Sequence, residues 1–159
     1  MSISALHYPN IDLLGYIGAS SQDHIKAILA ETAQHFQSPA TRQQRGEAIA
    51  SVIDAFAASH RAEEQAPVSE ATCNEVIGFL RTLPLTIPIP EVVLEPDGGL
   101  GLEWYLSKYH SFVLSFSGKS VMTYAGLFGR GRTSYGTEIL SEGIPPSITY
   151  NIRRALLQS

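Results

Sequence analysis

A chain of 159 residues, 44% apolar and 16% charged, has the material for the core of one ordinary domain and too little charge for a disordered chain. Its net charge of −4 argues against whole-surface attraction to nucleic acid or anionic lipid. The single cysteine, Cys73, excludes an internal disulfide and a cysteine-rich metal site.

The apolar run from Ile11 to Ala19 is short and contains Asp12, so neither a signal peptide nor a membrane span is expected, and a cytoplasmic location is the default. Ser20 or Ser21 can cap a first helix. Ile25, Ile28, Leu29, Thr32 and Phe36 then recur at helical spacing on one face. Ser38-Pro39 reads as a cap with proline at the first helical position, opening a second helix that runs to about Ser59. Its expected buried stripe is Ile49, Val52, Ile53, Phe56 and Ala57, while the polar stretch Thr41 to Glu47 should project outward. After a polar loop over 61–68, Ser69 caps a third helix that buries Val76, Ile77, Phe79 and Leu80 and carries Arg81 in its last turn.

Prolines 84, 88 and 90 forbid helix and make an extended connector. Beyond it the apolar period changes to two. Glu91–Glu95 is a strand, and Pro96-Asp97-Gly98-Gly99 is a turn. Leu100, Leu102, Trp104 and Leu106 alternate with Gly101, Glu103 and Tyr105. Phe112, Leu114 and Phe116 alternate with serines, Gly118-Lys119 turns the chain, and Val121 to Leu127 is the next strand. Gly129-Arg130-Gly131-Arg132 is a loop before an edge-like strand over Thr133 to Ile139, and Pro145-Pro146 opens a last helix bearing Ile148, Ile152, Leu156 and Leu157. The expected fold is α+β and a single domain over 1–159. It comprises a three-helix segment over 1–83, a connector over 84–90, and, over 91–159, a four- or five-stranded antiparallel meander with a C-terminal helix packed on it.

The segments Leu102-Glu103-Trp104, Val113-Leu114-Ser115, Tyr124-Ala125-Gly126-Leu127-Phe128-Gly129, Gly136-Thr137-Glu138 and Ile144-Pro145 carry a resemblance. Together they resemble the C-terminal pattern of a set of small uncharacterised bacterial proteins. The resemblance covers under half of the chain and implies bacterial origin and fold, with an antitoxin-like or defence-associated setting; it implies no activity.

Candidate chemistry is sparse. Glu31 and His35 are one helical turn apart, the spacing of a metal pair, but a solvated helix flank explains them as well, and His24 is too far along to join them. Cys73 has neutral neighbours and sits inside a helix, so a small packing residue is favoured over a nucleophile. Arg130 and Arg132, flanked by glycines, suit an anionic group or a carboxylate-rich surface, though two arginines are also an ordinary hairpin tip. Trp104, Tyr105, Tyr109, Tyr124 and Tyr135 give aromatics to both faces of the sheet, and Tyr105 shares a face with Glu103 that, left uncovered, suits a protein partner.

The leading expectation is a non-enzymatic interaction module binding another protein through Glu103, Tyr105, Arg130, Arg132 and Tyr135, with no cofactor, metal or membrane and with room for a homo-oligomer. The alternatives are a small hydrolase using Glu103 or His110, and a nucleic-acid binder using Arg130, Arg132, Arg153 and Arg154.

Overall fold

Five strands pair in the order in which they occur along the chain, every neighbour antiparallel. They belong to a computed structural model that describes residues 39–157. The compact unit containing the sheet begins at Gln44. The expected first helix, with His24, Glu31 and His35, lies outside the described residues.

In chain order the elements are α1 (Pro39–Ser59), α2 (Glu70–Thr82), β1 (Glu91–Leu94), β2 (Leu100–Ser107), β3 (His110–Phe116), β4 (Val121–Phe128), β5 (Thr133–Ile139) and α3 (Pro146–Leu156). The protein is thus α+β, with a five-stranded antiparallel sheet and a C-terminal helix. Ser69 caps α2, its hydroxyl accepting from the Thr72 N–H at 3.0 Å. At the other end, the α1 guanidinium of Arg45 donates to the Arg81 and Leu83 carbonyls at 2.8 and 3.0 Å, occupying two acceptors that a helix end leaves open. Pro146 opens α3, and the helix packs against β2, β3 and β4.

The period-two pattern puts Leu100, Leu102 and Trp104 of β2, Phe112, Leu114 and Phe116 of β3, and Met122 and Phe128 of β4 on one buried face. Phe79 and Leu80 from α2 and Ile148, Ile152 and Ala155 from α3 complete that core. Phe79 meets Trp104 and Phe116 edge-on, and Phe112 stacks on Tyr124 with 5.8 Å between ring centres. The Trp104 indole N–H donates to the Pro88 carbonyl at 2.7 Å, so the connector is tied to the core by the one polar atom of its largest side chain. Gly136 of β5 admits the Tyr124 ring: a Cβ there would stand 2.7 Å from the phenol oxygen.

Three apolar side chains depart from the expected stripes. Ile53 is 58% exposed, because α1 rests on Ala48, Val52 and Ser59, and a residue one step from Val52 points about 100° away. Leu106 is exposed because the β2–β3 register shifts between Tyr105 and Ser107, ending the alternation one residue early. Leu157 is exposed beyond the end of α3.

Candidate functional site

α2 and α3 lie on the Trp104 face of the sheet, and among the described residues no element packs on the other face. Strand parity gives that open face its residues. The register aligns Glu91, Glu103, Val113, Ala125 and Tyr135 in one row across all five strands. The next row toward the β2–β3 turn runs Tyr105, Ser111, Leu127 and Thr133. Tyr105 is 63% and Tyr135 82% exposed, and Leu127 is exposed between them. Glu103 and Tyr135 are therefore on one face but three strands, about 14 Å, apart.

The same end of the sheet carries the arginine loop. The β2–β3 and β4–β5 turns are neighbours there, joined by the Gly129 N–H donating to the Tyr109 carbonyl at 2.7 Å. Gly129 (φ 109°) and Gly131 (φ 72°) adopt a backbone that L side chains rarely take, so the tight turn requires glycine at both places. The turn holds Arg130 over the Tyr109 ring, 5.3 Å from its centre, while Lys108 approaches the same ring at 4.9 Å. Arg130 and Arg132 are exposed, and among the described residues neither forms an ion pair. Two cations thus converge on one tyrosine, with Arg132 in the same turn and no carboxylate between them.

Lys108 does not stand out in the sequence, and Tyr109 does so only as one of the aromatics of the sheet. A signal for them exists: from Trp104 to Thr137 the chain has Lys108, Lys119, Arg130 and Arg132 but no Asp or Glu. Only the strand pairing shows that Lys108 and Arg130 share an end of the sheet while Lys119 occupies the opposite one.

The C-terminal arginines serve the fold. Arg154 lies over the Phe128 ring at 4.1 Å, and Arg153 donates to the Thr86 hydroxyl at 3.0 Å, so each has a packing role in docking α3. Glu103 and His110 have opposite strand parity and face opposite sides of the sheet, and Nδ1 of His110 lies 3.2 Å from the Ser107 hydroxyl. Glu138 also faces the inner side, where it accepts from Ser147 at 2.7 Å. Cys73 borders a shallow pocket of about 230 Å³ shared with Ile53, Phe56, Glu70 and Asn74. Burial, with the Glu70 charge second, pushes its thiol pKa above the ordinary value. Among the described residues no three His, Cys, Asp or Glu side chains are grouped to hold a metal, and no helix is long and apolar enough to cross a membrane.

Compared with known proteins, the chain matches no family model, no curated sequence and no solved structure significantly.

Proposed function

We propose that this protein is a non-enzymatic interaction module whose open sheet face and basic end bind a protein with a carboxylate-rich surface. One observation carries the reading: Lys108, Arg130 and Arg132 stand together at the rim of an exposed face bearing Tyr105 and Leu127, with no internal carboxylate to satisfy them. Exposed charges contribute about 0–1 kcal/mol to stability at best, so folding gives little reason to gather them. An interface does: an aromatic centre with a charged rim gives contact area and steers the encounter. The antitoxin-like setting is the finer form of this proposal. A nucleic-acid reading is less well supported, because Arg153 and Arg154 are engaged in the fold and the open face carries Glu91 and Glu103.

The test is affinity capture from nuclease-treated host lysate on the wild-type chain, on Arg130→Ala/Arg132→Ala and on Tyr105→Ala. A captured protein rich in surface carboxylates should then be titrated at low and high salt. Both variants should bind it at least about tenfold more weakly, and the arginine variant should lose the salt dependence of the wild type. A captured protein that binds both variants as tightly as wild type removes this face from the interface.

A further inference from the structure

The two edges of the sheet are built differently. β1 is four residues long, is flanked by Pro90 and Pro96 and begins with Glu91. Short length, proline and charge are the usual protections of a free edge. β5 lacks the first two, and its one charge, Glu138, points to the inner face where Ser147 donates to it. The strand is seven residues long, contains no proline or lysine, and pairs with β4 without a bulge from Val121↔Ile139 to Leu127↔Thr133.

The hydrogen bonds at the ends of this ladder show which way its main chain points. The Phe128 N–H donates to the Arg132 carbonyl, and the Leu140 N–H donates to the Ser120 carbonyl. Residues 132 and 140 therefore direct their peptide groups toward β4. By alternation so do 134, 136 and 138, whereas Thr133, Tyr135, Thr137 and Ile139 direct theirs to the free edge. Among the described residues nothing bonds those outward groups. The side chains of the same four residues are exposed on the open face, Tyr135 at 82% and Ile139 at 73%.

We infer that β5 pairs with β5 of a second copy, antiparallel about a two-fold axis at Gly136, joining two five-stranded sheets into one. Several independent features agree with that occupant. Pairing about Gly136 uses the full length of the strand and sets Tyr135 opposite Thr137 and Thr133 opposite Ile139 of the partner. These are the residues with outward peptide groups, and they can exchange about eight main-chain hydrogen bonds. The pairing leaves both open faces on one side and gathers two Tyr135 and two Ile139 side chains into one apolar patch. The charge pattern is complementary as well. Antiparallel pairing lays the Gly129–Arg132 turn of each copy beside Ser141 and Glu142 of the other, so arginines meet a carboxylate at both ends. Glu138, the one charge within β5, falls opposite Ser134 and meets no like charge. A two-fold contact of this kind closes on itself and stops at the dimer.

The purified full-length chain tests this without any other protein, so the result is independent of the partner proposed above. Sedimentation equilibrium should give a concentration-dependent mass approaching twice that of one chain. Thr137→Pro removes one outward N–H and Tyr135→Lys places two cations near the axis. Each should raise the dimer dissociation constant at least about tenfold with an unchanged far-ultraviolet spectrum. Should the proline variant fold poorly, the lysine variant decides, since its side chain is solvent-facing. Glu142→Arg should weaken the dimer, and adding Arg130→Glu and Arg132→Glu should restore it. A wild-type chain that stays monomeric to about 500 μM, far above the dissociation constant of a specific interface, overturns the inference. So does a folded Tyr135→Lys dimer as tight as wild type, and a Glu142→Arg dimer of unchanged affinity overturns the register.

Discussion

Trp104 joins packing to polar bookkeeping in one side chain. It is 3% exposed, touches Phe79 and Phe112, and its indole N–H holds the Pro88 carbonyl. Trp104→Ala should cost about 3–5 kcal/mol, the range for losing a large buried aromatic, read from denaturant unfolding at constant slope. A loss under about 1 kcal/mol would mean that the indole is not in the core. Cys73 gives a second prediction, with its sign set by burial. A thiol whose pKa is raised carries less thiolate at a given pH, and thiolate is the reacting form. Alkylation at pH 8 should be several-fold slower than for a free cysteine peptide and reach the peptide's rate on unfolding. Glu70→Gln should speed it slightly by removing the second, smaller cause. Trp104 was legible from its place among Leu100, Leu102 and Leu106. Ile53 and Leu106 were misplaced, because a helical stripe is wide enough to admit a wrong neighbour and a register shift leaves no mark in the composition.

The elements show how α2 is fastened to the sheet. The Glu75 carboxylate accepts from the Gly118 N–H at 2.9 Å and the Ser120 N–H at 2.6 Å, both in the β3–β4 turn. Ser120 has φ 61° and Gly118 φ 78°, a conformation that turns successive N–H groups toward one acceptor. Glu75→Ala should therefore cost about 1–2 kcal/mol, and Glu75→Gln less, because the amide oxygen still accepts one bond. Amide exchange at Gly118 and Ser120 is the direct readout: it should quicken in the alanine variant and stay slow elsewhere in the sheet. In the sequence Glu75 stands early in the helix that Ser69 caps, where an acidic residue suits the helix dipole. Its partner is 43 residues away in the chain, a distance over which periodicity carries no information. The described strands and helices, by contrast, were legible almost to their ends, since each has its own period and its own turn chemistry: proline and Asp-Gly before β2, Gly118-Lys119 before β4, Pro145-Pro146 before α3.

For the whole molecule, the division of labour among the arginines is the main point. Arg45, Arg153 and Arg154 each make an internal contact across elements, and Arg130 and Arg132 belong to a turn at the surface. Arg130→Ala/Arg132→Ala should accordingly melt within about 2 °C of wild type, whereas Arg154→Ala should melt lower because it uncovers the Phe128 ring. A melting loss in the double variant as large as that of Arg154→Ala, and independent of protein concentration, would make the loop structural. Of the candidate site, alternation alone put Glu103 and Tyr105 on one strand face, whereas the place of Tyr135 in their row follows only from the pairing of β4 with β5. The union of Lys108 with Arg130 required knowing that two turns lie side by side.

The sequential strand order has a consequence for synthesis. Each strand pairs with the one made just before it, so loop closure is short at every step and the sheet can zip as the ribosome delivers it. The helix that covers Phe112 and Leu114 comes last. For the interval between completion of β5 and emergence of Pro146–Leu156, the nascent chain holds a nearly finished sheet whose apolar side is only partly roofed by α2. That is the interval in which a chaperone or a neighbouring nascent chain has most to grasp.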